Sequence, residues 1–274
     1  VHRIDSIFRD LSRSGQNLKA LMPFVCGGFP GPGQLPAILG ACESGGGSII
    51  EVGIPFSDPI ADGPVIAEAM HASLQAGSTP LTVLDEIAKA RPTINAGIIA
   101  MVSMSIVLKL GGPDGFAKLA ASKGVDGLIV PDAPLEEAAQ LREACTANKL
   151  SLSLLIAPTT PPARAEKIVK LCSGFVYVLA RAGITGDAGA RASTAAPLAT
   201  RIKQLRGMTQ LPLAVGFGIS TAKHVAEAVQ HADAAIVGSA LVKVMREAHS
   251  QRRDVSVAAK NCVQGLAEGL YSAV

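Results

Sequence analysis

Apolar residues along this chain follow two alternating rhythms. Short, nearly continuous apolar runs stand at 21–26, 48–52, 97–103, 127–130, 150–156, 175–179, 212–215 and 234–237. Runs of this length, bounded by glycine or polar turn residues, read as strands buried on both faces. Between them apolar residues recur three and four apart, the spacing of a helix with one buried face. Those segments are 34–43, 65–76, 80–91, 113–122, 135–148, 162–172, 197–206, 221–230 and 239–248. Ser78 is placed as an N-cap, with Thr79 and Pro80 opening the helix that follows. Two more helices flank the series: 3–15, with Ile4, Ile7, Phe8 and Leu11 on one face, and 255–270.

Strands that alternate with helices pair in parallel. Eight such units in a chain of 274 residues predict a closed (β/α)8 TIM barrel with an extra N-terminal helix. The competitor is an open doubly wound sheet, which carries a glycine fingerprint after its first strand. Here Cys26-Gly27-Gly28-Phe29-Pro30 runs into prolines and lacks it. No linker or composition shift divides the chain, so residues 1–274 are expected to form one domain.

Composition supports the barrel. Hydrophobic residues make up 49% and aromatic residues 3%, with no Trp. The interior must therefore be aliphatic, as parallel strands covered on both faces require. The net charge of +3 comes from interspersed signs without a basic stripe, which argues against nucleic-acid binding. Cys26, Cys42, Cys145, Cys172 and Cys262 form no CxxC pair and read as buried thiols of a reducing compartment. The five histidines show no metal-ligand spacing. The longest uncharged run, 93–108, is interrupted by Asn95, Gly97, Ser103 and Ser105 and falls short of the roughly 18 apolar residues of a membrane span. The first residues are charged rather than leader-like. The expectation is a soluble cytoplasmic protein.

The candidate chemistry gathers after the second strand, in IIEVGIPFSDPIADGP, residues 49–64. Glu51 lies inside an apolar strand, where a carboxylate is costly without a partner or a task. Asp58 and Asp62 follow in Asp-Pro and Asp-Gly turns. Barrels of this kind do their chemistry at this end of the strands. Residues 181–195 form a long loop of small residues, either a disordered insertion or a mobile lid. The last two strands run into Gly216-Phe217-Gly218-Ile219-Ser220 and Gly238-Ser239-Ala240, each opening a helix. Glycines there admit a ligand to the backbone, and helix-start amides favour an anion. Spacing alone thus describes a barrel enzyme that grips a phosphate opposite one or two carboxylates. Isomerase, aldolase-type lyase and decarboxylase all fit. No Lys lies within the eight strand runs to support a Schiff base.

The segment Glu51-Val52-Gly53-Ile54-Pro55-Phe56-Ser57-Asp58-Pro59-Ile60-Ala61-Asp62-Gly63-Pro64 closely resembles the signature of the tryptophan synthase alpha chain family. The resemblance continues in order through Leu21-Met22-Pro23-Phe24, Pro131-Asp132-Ala133-Pro134, Arg181-Ala182-Gly183-Ile184-Thr185-Gly186 and the two glycine turns. It implies a (β/α)8 barrel that cleaves indole-3-glycerol phosphate into indole and glyceraldehyde 3-phosphate. It also implies a beta-chain partner in an alpha-beta-beta-alpha complex. The partner carries the pyridoxal phosphate, so this chain is expected to need no cofactor. By resemblance Glu51 is the general acid-base group, and Asp62 accepts a hydrogen bond from the indole N–H. Thr185 matches the lid residue that orients Asp62. Gly186, Gly218, Gly238 and Ser239 match phosphate-binding positions, and Phe24 and Phe217 match apolar substrate contacts.

Two positions depart from the family pattern. Met104 aligns with a third-strand Tyr near the indole, and Gly28-Phe29-Pro30 stands where Gly-Asp-Pro is usual. Two other readings stay open, the second of them motivated by these departures. One is a stand-alone lyase that releases free indole. The other is a weakly active binding subunit that mainly activates the beta chain.

Overall fold

The computed structural model describes residues 2–13, 19–59, 62–180, 195–216 and 218–271. Nine parallel strands form one sheet: β1 (Ala20–Cys26), β2 (Ile49–Gly53), β3 (Gly97–Met101), β4 (Gly127–Ile129), β5 (Ser151–Ser153), β6 (Leu155–Ile156), β7 (Val176–Leu179), β8 (Leu213–Gly216) and β9 (Ala234–Val237). Their spatial order is β5-β4-β3-β2-β1-β9-β8-β7-β6. β5 and β6 are two halves of one run, separated only by Leu154. The first half pairs with β4 and the second with β7, and the Tyr177 amide donates to the Leu154 carbonyl. The ends of the sheet therefore meet, and the eight-stranded ring closes.

The pairing register gives the stagger of the ring. Ser151, Gly127, Ile99, Glu51 and Phe24 are successive partners in one direction, and Ala20, Ala234, Ala214, Tyr177 and Leu155 continue it. Phe24 lies four residues beyond Ala20, and Leu155 four beyond Ser151. One circuit thus climbs eight residues, about one per strand, which is the stagger of a (β/α)8 barrel. Level inward positions then come from alternate strands. The upper layer is Phe24, Met101, Leu155 and Gly216. The middle layer is Glu51, Ile129, Tyr177 and Ile236, and the lower layer is Met22, Ile99, Ser153 and Ala214.

Helix α1 (Arg3–Arg13) closes the N-terminal end. Its Ile4 is fully buried, and a Cβ on Gly97 would lie 2.5 Å from the Ile4 Cδ1. That position stays glycine because the plug occupies the space. Around the ring run α2 (Leu35–Ser44), α3 (Pro64–Gln75), α4 (Pro80–Ala90), α5 (Met104–Lys109), α6 (Gly112–Ser122), α7 (Ala138–Ala147), α8 (Pro162–Leu171), α9 (Ala195–Arg206), α10 (Ala222–Val229), α11 (Ser239–Ser250) and α12 (Val255–Tyr271). Two carboxylates cross-link the front of this layer. Glu86 of α4 accepts from the amides of Gly33 and Leu35 at the start of α2, and Glu43 of α2 accepts from those of Asn95 and Ala96 ahead of β3.

Three local expectations change. The third strand ends at Met101, not at residue 103, because Ser103 caps a short helix, α5, that the apolar run concealed. α4 is capped by Thr79 through reciprocal bonds with Thr82, not by Ser78. The helix expected from residue 135 begins at Ala138 after a turn.

Candidate active site

Glu51 sits mid-strand on β2 and is wholly buried, and neither carboxylate oxygen has a hydrogen-bond partner among the described residues. Burial first, and the charge of Asp62 second, raise its pKa from 4.5 to about 8. It is therefore mainly protonated at neutral pH. Asp62 lies on the loop after β2, two residues before α3, and its amide donates to the Pro59 carbonyl. Burial raises its pKa only to about 6. At pH 7 the Asp62 carboxyl is mainly ionised while that of Glu51 is not.

β7 lies four strands from β2 in the ring, and Tyr177 occupies the same layer as Glu51. The two side chains thus face each other across the barrel. Burial, and then the charges of Glu51 and Asp62, hold the Tyr177 phenol well above its ordinary pKa. It remains a neutral hydroxyl. A Cβ on Gly216 would lie 2.4 Å from the Tyr177 hydroxyl oxygen, so glycine on β8 leaves that oxygen room in the layer above. Tyr177 was not among the expected site residues. Its signal was a single phenol within an apolar strand, in a chain with only two Tyr.

The mouth above these groups forms a pocket lined by Ile54, Phe56, Asp58, Pro59, Asp62, Met70, Met101, Val102, Ser103, Pro131 and Asp132. It is mainly apolar, with acids at its rim. Met101, not Met104, is the third-strand methionine that borders it beside Asp62. Met104 instead opens α5, with its amide donating to Asp132 at 2.8 Å. Asp58 accepts from the Ser57 hydroxyl at 2.6 Å and borders the same pocket. Phe29 is buried 6.0 Å beneath the Arg246 guanidinium, which also pairs with Glu68. The position that the resemblance marked as a departure is thus an apolar packing site.

Phe24 ends up in the upper layer, on the strand paired with β2. Gly238 is the N-cap of α11 and Ser239 its first residue, so the free amides of that first turn stand beside Phe24. Gly218, at φ +80°, holds a left-handed turn after β8. The geometry therefore brings together Glu51, Asp62, Phe24, Gly218, Gly238 and Ser239 at one end of the barrel. Thr185, Gly186 and Phe217, with the expected 181–195 lid, lie outside the described residues apart from residue 195, which opens α9. Among the described residues no three His, Cys, Asp or Glu side chains are grouped as a metal ion would need. No helix there is long and apolar enough to cross a membrane.

Comparison with known proteins covers nearly the whole chain. The family model described as "Tryptophan synthase alpha chain" matches residues 11–270. The tryptophan synthase alpha chain of Chloroflexus aggregans is 44% identical over 254 residues, covering 92% of this chain and 93% of its own. That of Phenylobacterium zucineum is 40% identical over 268 residues, covering 98% and 95%. Among solved structures, the tryptophan synthase alpha subunit of Legionella pneumophila superposes with a TM-score of 0.88 at 29% identity, covering 99% of each chain. A tryptophan synthase of M. tuberculosis in an aminoacrylate-bound form superposes with a TM-score of 0.84 at 30% identity, covering 98% of this chain and 100% of that one.

Proposed function

We propose roles for these residues from one premise: the chain belongs to the tryptophan synthase alpha chain family. Its reaction is accordingly the retro-aldol cleavage of indole-3-glycerol phosphate to indole and glyceraldehyde 3-phosphate, a lyase step of tryptophan biosynthesis.

Cleavage needs a proton on the ring carbon that carries the glycerol chain, help for the positive charge this creates on the ring nitrogen, and a base for the side-chain hydroxyl. Glu51 supplies the first: buried and protonated at neutral pH, it donates to the ring carbon. Asp62, ionised at the same pH, accepts from the ring N–H and stabilises the developing charge. The Glu51 carboxylate then takes the hydroxyl proton as the carbon–carbon bond breaks and the aldehyde forms. That restores its starting state. Phe24 and the apolar mouth receive the ring. The phosphate lies against the amides at Gly218, Gly238 and Ser239; by the family resemblance Gly186 joins them, Thr185 orients Asp62 and Phe217 gives the substrate an apolar contact.

The observation that carries this reading is the pair of carboxyls at one end of the barrel, Glu51 wholly buried on β2 and Asp62 on the loop that follows it, with burial raising the Glu51 pKa further than that of Asp62. An alpha chain of this family has a beta-chain partner, and we place the pair in an alpha-beta-beta-alpha complex in the cytoplasm. Pyridoxal phosphate then belongs to the partner, and this chain works without a cofactor of its own.

The test is the pH profile of indole release, measured with beta chain present. The rate should rise as Asp62 ionises near pH 6 and fall as Glu51 loses its proton near pH 8. Glu51→Gln should abolish release. Near-normal release by Glu51→Gln would refute the assignment.

A further inference from the structure

Beneath Glu51 the barrel interior should be hydrocarbon, and it is so except on one strand. In the layer below, Met22, Ile99 and Ala214 are apolar, but the fourth residue is Ser153. Its side chain is 1% exposed, and its hydroxyl finds no acceptor among the described residues. A buried hydroxyl without a partner is destabilising, so an aliphatic residue would serve packing better. Ser151, two residues earlier on the same strand, has an ordinary reason to be small. Its Oγ lies 2.1 Å from where a Cβ on Gly127 would stand. Among the described residues no glycine makes way for Ser153 in this manner. In the three layers around the acid, the polar side chains are Glu51, Tyr177 and Ser153 alone.

The Glu51 carboxyl also lacks a partner among the described residues, and it must serve twice, first as acid and then as base. The substrate approaches from the mouth. A donor on the floor side would hold the carboxyl in one orientation and stabilise the carboxylate formed midway through the reaction. Of the two buried serines on that side, Ser153 lies in the layer next to Glu51 and Ser151 one layer further down.

We propose that Ser153 is a positioning residue for Glu51: its hydroxyl anchors a buried water that donates to the Glu51 carboxyl from below and orients it toward the substrate. A water with two polar neighbours in an apolar surround is a normal structural element. The proposal rests on the assignment of Glu51 as the acid-base group. Around the carboxyl, β7 presents Tyr177, the loop after β2 presents Asp62 and β5 presents Ser153. The other inward residues of the three layers are apolar or glycine.

The test compares Ser153→Thr with Ser153→Val in the alpha-beta complex, because the two side chains share a shape and differ in the hydroxyl. Val should lower kcat about tenfold relative to Thr, with KM for indole-3-glycerol phosphate unchanged, since the hydrogen bond it removes matters when charge forms. The alkaline limb of kcat should also move to higher pH in Val, because the carboxylate loses a donor. Equal kcat and equal limbs for Thr and Val would overturn the proposal, as would a loss confined to KM. If the added methyl prevents folding of both, Ser153→Ala against wild type decides in the same way. Glu51→Gln separates the two failures. If it still releases indole, the acid-base assignment falls; if it is inactive while Val equals Thr, only the role of Ser153 falls.

Discussion

Replacing Glu51 by Gln should destroy activity and yet remove a loss of stability that grows with pH, a signature that identifies the cause. In the unfolded chain the carboxyl ionises at its ordinary 4.5, whereas in the barrel burial holds it neutral up to about 8. A raised folded-state pKa contributes stability that is fully present below 4.5 and is lost as pH rises toward 8. At ~1.4 kcal/mol for each pH unit, the wild type forfeits about 3 kcal/mol by pH 7 and about 5 kcal/mol above pH 8. Gln does not titrate. Whatever its buried amide costs is the same at every pH, so it cancels when the gap between the two proteins is followed along pH. That gap should open in favour of Glu51→Gln from pH 5 to pH 8 and then stay level. At neutral pH it corresponds to an increase of about 5 to 10 °C in Tm, relative to the gap at pH 5, for a chain of this size. Thermal or urea unfolding of both proteins between pH 5 and 9 measures it. A gap that stays flat, or one that widens toward acid, would show that Glu51 is not a buried neutral acid.

Other substitutions test the rest of the site. Asp62→Asn should reduce kcat for indole release roughly 100-fold and remove the acid limb near pH 6. It should also move the alkaline limb below its wild-type position, because the Asp62 charge helps raise the Glu51 pKa. Gly216→Ala places a Cβ 2.4 Å from the Tyr177 hydroxyl and 2.7 Å from its ring. The phenol must shift, at a cost of about 1–3 kcal/mol in stability, and release should fall at least about tenfold; unchanged kinetics would mean that the phenol is not part of the reacting geometry. Gly218→Ala forces a side chain onto a left-handed turn at φ +80°. It should raise KM several-fold while sparing kcat, because it disturbs phosphate binding rather than the acids; a loss in kcat alone would contradict that placement.

The fold was largely legible because each strand run was short, apolar and followed by a helical spacing. The limits of that reading have physical causes. Ile106 and Val107 are buried in α5 as fully as β3 residues are, so a strand and a short helix merged into one apolar run. Thr79 and Ser78 are both competent caps, and only the reciprocal bond with Thr82 chooses between them. At the site, Glu51 and Asp62 were visible because acids in apolar or turn contexts are conspicuous. Tyr177 and Ser153 were not, since a residue in a strand reveals its importance only when the register shows what it faces. Met104, aligned by resemblance with a third-strand position, opens α5, while Met101 at the end of β3 borders the pocket, because the apolar run does not show where the strand stops.

The crossed carboxylates of α2 and α4 reach further than their own helices. Glu86 ties down the loop that leaves β1, and Glu43 ties down the approach to β3. β1 and β3 are the two neighbours of β2, which carries Glu51. The strand with the buried acid is thus held in place by anchors that never touch it. Random mutagenesis with selection for growth without tryptophan should therefore recover loss-of-function alleles at positions 43 and 86, on the outer layer of the barrel. Mapped onto the fold, those alleles would look unrelated to the pocket they disable.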